Sequence, residues 1–159
     1  MTIKVGDKLP EATFMTPTPD GPQQITTDQV FKGKKVALFA LPGAFTPTCS
    51  ARHLPGFRDK AKEIKAKGID TIACLSVNDA YVMGAWAKDQ GVGDDILMLA
   101  DGSGDFTKKV GLEMDASKFG MGMRSQRYSM IVDTGVVKTL NVEQGEFRVS
   151  SAEHMLGQL

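Results

Sequence analysis

Two cysteines are the side chains of this 159-residue sequence best suited to redox or nucleophilic chemistry, and Cys49 has the more reactive setting. It lies just beyond an apolar run, 36–41, that is typical of a buried strand. Thr46 is suited to cap the next helix and Pro47 to occupy its first position, which predicts Cys49 in the first turn. Unpaired N–H groups and the helix dipole favour an anion there, so we expect Cys49 to ionise more readily than a free cysteine. A buried apolar cysteine that begins a helix is equally compatible with these features.

A longer pattern surrounds Cys49. Pro42, Thr46 and Cys49 match the P-x-x-x-T-x-x-C signature of the peroxiredoxins position for position. The string 42–50, followed by His-Leu-Pro-Gly-Phe, resembles the peroxiredoxin-five subfamily, which includes the plant type-two enzymes. Further likeness at 73–79 and 127–130 extends the resemblance over nearly the whole chain. The resemblance implies a thiol peroxidase that reduces hydrogen peroxide and small alkyl hydroperoxides through a sulfenic acid.

The resemblance also assigns roles to side chains around Cys49. The family threonine, here Thr46, bonds both the thiolate and the bound peroxide, and Pro42 shields the sulfur from bulk solvent. Arg127 matches the family's distant arginine, whose fork of donors can stabilise a thiolate and polarise a peroxide together. Arg124, three residues earlier, is the rival for that role. The structural alternatives are a simple helix cap, a strand-ending proline and solvated arginines.

Histidine suggests a different chemistry. His53 lies four residues after Cys49, one helical turn along, so a Cys–His nucleophilic pair and a protease activity are alternatives. Against them, Pro55 should kink or interrupt this helix, and the family does not use histidine as its base. We therefore expect His53 to pack beside the site and His154 to be solvated. A thioredoxin-type disulfide oxidoreductase would need a second cysteine at C-x-x-C spacing, where Arg52 stands.

Cys74 lies in a predicted strand, 69–77, where a buried core cysteine is the simplest interpretation. The competing hypothesis is a resolving cysteine, as proposed for some plant type-two relatives at this spacing. Animal members of the subfamily resolve with a cysteine near the C-terminus, but the corresponding positions 143–151 hold none here. We therefore expect a one-cysteine cycle in which glutathione and glutaredoxin restore Cys49. A thioredoxin-dependent cycle through Cys74, and a redox sensor that relays the oxidation of Cys49 to a partner, are the alternatives.

Composition narrows the classes of partner. The chain has 19 basic and 19 acidic residues, no basic block and no apolar stretch of about 20 residues, so neither nucleic acid nor a membrane is expected. Two cysteines and a start without an apolar leader favour a reducing, cytoplasmic setting. No ligand spacing suggests a metal, and the resemblance implies an external thiol rather than a haem or flavin. It also implies a homodimer with the active-site loops near the interface.

The elements that must position these residues alternate along the chain. Predicted strands lie at 12–15, 23–25, 36–41, 69–77, 96–100, 128–132 and 136–142, with helices between several of them. This order predicts one α/β domain, 1–159, with a mixed central sheet, helices on both faces and an N-terminal hairpin. The family resemblance implies that this is a thioredoxin-like fold.

Two further predicted helices carry explicit start signals. Asn78 or Asp79 is predicted to cap a helix that ends near residue 90. The predicted inner face of that helix consists of Val82, Ala85 and Trp86. A capping box beginning at Ser150 is predicted to start the last short helix.

Overall fold

The protein is built around a seven-stranded mixed sheet with helices on both faces. The computed structural model describes residues 2–159. Its strands are β1 (Thr13–Thr16), β2 (Gln23–Thr26), β3 (Lys35–Ala40), β4 (Thr71–Ser76), β5 (Leu97–Ala100), β6 (Glu113–Asp115), β7 (Met123–Ser125), β8 (Tyr128–Asp133) and β9 (Val136–Val142). Its α-helices are α1 (Thr27–Phe31), α2 (Leu54–Asp59), α3 (Ala61–Ala66), α4 (Ala80–Gln90), α5 (Asp105–Lys109) and α6 (Ala152–Leu156). The order across the sheet is β2-β1-β5-β4-β3-β8-β9, and β6 and β7 pair separately.

The centre of the sheet is parallel and its flanks are antiparallel. β3 pairs with β4 and β4 with β5 in parallel, whereas β8 runs antiparallel beside β3. Parallel neighbours need crossover connections, which α2 and α3 supply for the first pair and α4 for the second. With the hairpin of β1 and β2, this arrangement confirms the predicted α/β fold.

β3 contributes to two apolar cores at once. Ala37 and Phe39 point into the cluster on one face of the sheet, while Leu38 and Ala40 belong to the cluster on the other. The alternation follows from the two-residue period of a strand. All of these side chains are inaccessible to solvent, which confirms the predicted buried strand and is typical of a central parallel strand.

Different helices cover the two faces. α2, α3, α4 and α6 pack on one face with buried residues that include Phe57, Ile64 and Trp86. We call it the Cys49 face, because Cys49 belongs to the same cluster. α1 and α5 cover the opposite face through side chains such as Phe106.

α4 begins as predicted, but its inner face differs at one position. Asp79 caps it by accepting a hydrogen bond from Val82 N at 2.8 Å. Trp86 is buried as predicted and Val82 is half-buried, whereas Ala85 is exposed and Met83 is buried in its place. The buried positions recur at intervals of three residues, and Ala85 precedes Trp86 by about 100° around the axis, which turns it to solvent.

The cap of α6 is shifted by one residue from the prediction. Ser151, not Ser150, accepts the hydrogen bond from His154 N, at 3.1 Å. The side chain of Ser150 is buried and donates instead to Glu143 Oε2 at 2.6 Å. A buried carboxylate therefore competes successfully for the hydroxyl that the sequence pattern assigns to the cap.

A small hairpin beside the loop that follows β3 was not predicted from the sequence. β6 and β7 pair over three residues each, with a 3₁₀ turn at Ser117–Phe119 between them. Strands of three residues are too short for an alternating pattern to stand out in the sequence.

Across residues 2–159, no helix is long and apolar enough to cross a bilayer, which takes about 20 residues. Over the same residues, no three His, Cys, Asp or Glu side chains converge as they would around a metal ion.

Candidate active site

Arg124 fixes the loop that follows β3. Its Nη1 donates to the Pro42 carbonyl at 3.2 Å, and its Nε donates to the Met121 carbonyl at 3.0 Å. Gly43 permits this approach, because a Cβ there would lie 2.8 Å from Arg124 Nη1. The hydrogen bonds of Arg124 thus reach backbone carbonyls rather than Cys49.

Three further features shape the same loop. Ala44 N donates to Asn78 Oδ1 at 3.0 Å, and the Thr46 hydroxyl donates to the Gly43 carbonyl at 2.7 Å. Between them Phe45 has a φ of 63° and a side chain that is 53% exposed. A non-glycine residue in this region is strained, and such strain clusters at functional sites.

The helix that carries Cys49 begins where the sequence predicts. Pro47 is its first helical residue, and Ser50 N donates to the Thr46 carbonyl at 2.9 Å. Trp86 Nε1 donates to Ser50 Oγ at 3.0 Å and ties this turn to α4. Cys49 lies in the first turn, as predicted, and is fully buried.

This helix widens before it continues as α2. Cys49–His53 form a π-helical segment in which Leu54 N donates to the Cys49 carbonyl. Pro55 follows directly and has no N–H for a regular α-helical bond. The predicted interruption is therefore a π-bulge, a feature that occurs frequently at functional sites.

Arg127 contacts the sulfur of Cys49. Its Nη2 donates to Sγ at 3.1 Å, from a position immediately before β8. A guanidinium is always charged and only donates, so this is a charge-assisted hydrogen bond to the sulfur. Of the two arginines considered from the sequence, Arg127 is the one that reaches Cys49.

His53 is buried between Arg127 and a distant backbone carbonyl. Its Nε2 lies 3.0 Å from the Ser150 carbonyl, which only accepts, so Nε2 carries the proton. Nδ1 is then the acceptor for Arg127 Nη1 at 2.9 Å. Burial, reinforced by the charge of Arg127, lowers the pKa of His53 to about 3 against the opposing effect of the Ser150 bond. The imidazole is therefore neutral at physiological pH.

Aromatic rings hold the imidazole on the Cys49 face. Phe39 and Phe57 stack at 4.1 Å, and the centroid of the His53 ring lies 5.0 Å from that of Phe39. Phe147 approaches the imidazole edge-on from the other side, at 5.1 Å. His53 thus packs beside the site, as the sequence predicts.

The segment 143–150 closes the site from the C-terminal side. One oxygen of Glu143, Oε2, accepts hydrogen bonds from Arg148 N at 2.8 Å, Ser150 N at 2.8 Å and Ser150 Oγ at 2.6 Å. Burial raises the pKa of Glu143, but these hydrogen bonds outweigh it and lower the pKa below its usual value. An ionised carboxylate at the start of the segment therefore holds Ser150 in place through its N–H and its hydroxyl.

An open cavity of about 690 Å³ borders this arrangement. Pro42, Arg52, Arg127 and Phe147 contribute to its wall. The guanidinium of Arg52 lies over the Phe147 ring at 4.7 Å, where a cation–π contact is favourable. A small peroxide has room to approach Arg127 from this side.

Cys74 is a buried core cysteine, as the simplest interpretation of the sequence predicts. It lies in β4, opposite Phe39 of β3, and is inaccessible to solvent. Burial, together with the charge of Cys49, raises the pKa of the Cys74 thiol well above its usual value, with Arg127 opposing. Both cysteines are free.

The predicted site residues thus fall into three groups. Cys49, Arg127 and His53 are joined by hydrogen bonds, Pro42 and Arg124 shape the loop, and Cys74 lies in the core. The hydroxyl of Thr46 bonds Gly43, and its predicted bond to Cys49 is not among the hydrogen bonds of residues 2–159. The sequence did not indicate that Asn78 accepts a hydrogen bond from this loop. Nor did it indicate the contacts that Glu143, Phe147 and Ser150 make around His53. Of these, only the aromatic residue between two charged ones at 146–148 gave a visible signal.

A thioredoxin-like sheet with a free, arginine-bonded cysteine at the start of a helix defines a class of thiol-dependent redox proteins. Comparison with known proteins narrows that class. The Redoxin family matches residues 4–156, and the chain belongs to that family.

Individual relatives narrow it further. The chain is 52% identical to Peroxiredoxin-2E, chloroplastic, of Arabidopsis thaliana, over 99% of this chain and 70% of that protein. The structure of reduced Prx3 from Vibrio vulnificus in complex with H2O2 superposes with a TM-score of 0.95, at 54% identity over 99% of each chain. Peroxiredoxin 5 from Alvinella pompejana gives a TM-score of 0.86 at 35% identity, over 97% of this chain and 96% of that one. The protein is a peroxiredoxin of the plant type-two and peroxiredoxin-five kind.

Membership of this family confirms two predictions from the sequence. The protein is an oxidoreductase that acts as a thiol peroxidase. Peroxiredoxins need no prosthetic cofactor and draw their electrons from a thiol reductant.

Proposed function

We propose that Cys49 is the peroxidatic nucleophile and that a one-cysteine cycle reduces hydrogen peroxide and small alkyl hydroperoxides. The observation that carries the proposal is the 3.1 Å hydrogen bond from Arg127 Nη2 to Cys49 Sγ at the start of a helix. A cation and the positive end of the helix dipole both act on that sulfur.

The proposed reaction needs no cofactor, because the peroxide oxidises the sulfur and external thiols reduce it again. The Cys49 thiolate attacks one peroxide oxygen, so that an S–O bond forms while the O–O bond breaks. Sulfur is oxidised to a sulfenic acid, and the leaving alkoxide or hydroxide takes up a proton. One glutathione thiol then forms a mixed disulfide and releases water. A second thiol, from glutathione or glutaredoxin, displaces the Cys49 thiolate.

Three neighbouring residues have proposed roles in the first step. Arg127 donates to the thiolate and to the peroxide as negative charge moves onto the leaving oxygen. Thr46 already donates to Gly43, so its oxygen accepts from the peroxide O–H as it stands, and its proton reaches the sulfur only after rotation of the hydroxyl. Pro42, in the wall of the cavity, limits access of water.

The burial of Cys74 supports the one-cysteine cycle. A resolving cysteine must attack the sulfenic acid as a thiolate, and burial raises the pKa of the Cys74 thiol. The segment 143–151 contains no cysteine that could replace it. We therefore propose glutathione with glutaredoxin as the reductant, ahead of thioredoxin.

We also propose a cytoplasmic homodimer with the active-site loops near the interface. Three of the exposed apolar side chains, Phe45 at 53%, Phe119 at 72% and Met123 at 54%, belong to the loop after β3 and to the hairpin of β6 and β7, and a second copy would cover them. Sedimentation should give a dimer for the wild type and a monomer for Phe119→Asp; a monomeric wild type would contradict the proposal. Fractionation of producing cells tests the location, and recovery from a membrane or organelle would contradict it.

Steady-state peroxide consumption tests the function. We expect turnover with glutathione and glutaredoxin, none with Cys49→Ser, and near wild-type turnover with Cys74→Ser. Activity of Cys49→Ser above a few per cent would make Cys74 the nucleophile. Activity with thioredoxin alone, lost in Cys74→Ser, would support the two-cysteine cycle, and a single stoichiometric oxidation without turnover would support a sensor.

A further inference from the structure

We infer that His53 is the positioning residue of Arg127: held by the segment 143–150, its imidazole accepts from one guanidinium nitrogen and aims the other at Cys49. This inference rests on the proposed role of Cys49 as the peroxidatic nucleophile. His53 contacts neither the sulfur by a hydrogen bond nor the space where a peroxide approaches, so it acts through Arg127.

The direction of each hydrogen bond follows from the chemistry of its partners. The Ser150 carbonyl has no proton to give, so His53 Nε2 donates to it at 3.0 Å. His53 Nδ1 therefore has a free lone pair and accepts from Arg127 Nη1 at 2.9 Å. Arg127 Nη2 is left to donate to Cys49 Sγ at 3.1 Å. Both imidazole nitrogens are committed, which excludes His53 as the general base of a Cys–His pair.

A neutral acceptor suits this position better than a carboxylate. The ion pairs among residues 2–159 involve other side chains, and none includes Arg127. A carboxylate would orient the guanidinium but would also compensate the charge that stabilises the thiolate. An imidazole with its proton on Nε2 orients the guanidinium of Arg127 and leaves its positive charge uncompensated beside Cys49.

The imidazole is itself rigidly held. Phe39, Phe57 and Phe147 surround its ring with centroid distances of 5.0, 5.8 and 5.1 Å. The carbonyl that accepts from Nε2 is fixed because Glu143 binds both Ser150 N and Ser150 Oγ. The chain of contacts thus runs from Glu143 through Ser150 and His53 to Arg127 and the sulfur.

Two substitutions at position 53 separate the two hydrogen bonds. In His53→Asn, the amide oxygen takes the place of Nδ1 and can still accept from Arg127, while the bond to Ser150 is lost. In His53→Gln, the amide nitrogen takes the place of Nε2 and keeps the bond to Ser150, while the acceptor for Arg127 is lost. We expect His53→Gln to slow oxidation of Cys49 by hydrogen peroxide about tenfold or more, and His53→Asn to retain most of the rate.

A double-mutant cycle shows whether His53 acts through Arg127. Stopped-flow oxidation rates are compared for the wild type, His53→Gln, Arg127→Ala and the double variant, with exposed His154→Gln as the matched control. In the Arg127→Ala background, His53→Gln should cause no further loss, and His154→Gln should react like the wild type. Equal losses in His53→Asn and His53→Gln, wild-type rates in both, or additive losses in the double variant would overturn the inference. Turnover by Cys49→Ser would instead overturn the proposed function beneath it.

Discussion

At the scale of single residues, ionisation alone does not account for the reactivity proposed for Cys49. A thiol of ordinary acidity is a few per cent ionised at pH 7, so complete ionisation multiplies the reactive form by roughly 30 at most. An enzymatic peroxidase needs a larger gain. The remainder must come from a positioned peroxide and from donors aimed at the developing charge, which are worth several kcal/mol each.

Arg127→Ala should therefore slow oxidation of Cys49 by about 100-fold even at a pH where the thiol is fully ionised. Thr46→Val should slow it in the same way, because the peroxide O–H loses its proposed acceptor. Stopped-flow oxidation rates on a pH plateau give the measurement. Wild-type rates on that plateau would mean that both residues act only on ionisation or structure.

Tyr128→Phe should leave stability unchanged or raise it by up to about 1 kcal/mol. The Tyr128 hydroxyl is buried, and it has no hydrogen-bond partner among the protein atoms of residues 2–159. Removing it relieves the cost of burying an unpaired polar group. Urea unfolding measures the change. A loss above about 1 kcal/mol would mean that a buried water or an alternative partner binds the hydroxyl.

At the scale of elements, the helix after Cys49 and the segment 143–150 meet at His53. The π-bulge at Cys49–His53 ends just before Pro55, and the segment begins directly after β9. Glu143 N also donates to the Arg127 carbonyl at 2.9 Å, so the same segment contacts Arg127 through its backbone. The geometry around Cys49 and Arg127 therefore depends on two elements far apart in the sequence.

The two serines before α6 provide a test of this arrangement. Ser151→Ala removes a helix cap and should cost about 1 kcal/mol. Ser150→Ala removes a buried hydrogen bond to an ionised Glu143 and should cost about 2 kcal/mol. Only Ser150→Ala should also slow Cys49 oxidation. Urea unfolding and stopped-flow rates decide between them, and the opposite order would restore Ser150 as the cap.

Local features of this fold were predictable from the sequence, and long-range contacts were not. The buried run of β3, the Asp79 cap of α4 and the helix start at Pro47 depend on neighbours within a few positions. The bond between His53 and Ser150 spans 97 positions, so no local pattern indicates it. The family resemblance indicated Arg127 but not its bond to His53. That bond requires a polar side chain to be buried within a π-bulge, which no sequence pattern indicates.

At the scale of the whole molecule, the neutral His53 links stability to pH. Its pKa in the folded protein is lowered to about 3, against 6.5 as the usual value, so the unfolded chain binds a proton first as the pH falls. Unfolding is thereby favoured below pH 6.5, with a slope of at most ~1.4 kcal/mol per pH unit.

The free energy of unfolding should therefore fall between pH 6.5 and about 5, above the range in which most carboxylates titrate. His53→Gln removes the titrating group, so its stability should depend less steeply on pH over the same interval. Urea unfolding at several pH values measures both slopes. Equal slopes in the two proteins would contradict a neutral, buried His53.

Mass spectrometry after one equivalent of hydrogen peroxide, with a sulfenic-acid trap and no added thiol, tests most directly whether Cys49 is the peroxidatic nucleophile. We expect a single adduct on Cys49 with Cys74 unmodified, because Arg127 donates to Cys49 whereas the pKa of the Cys74 thiol is raised. Cys74→Ser should give the same adduct, and Cys49→Ser should give none. A trapped adduct on Cys74 would contradict the proposed role of Cys49. Rapid and complete formation of a Cys49–Cys74 disulfide would contradict the one-cysteine cycle.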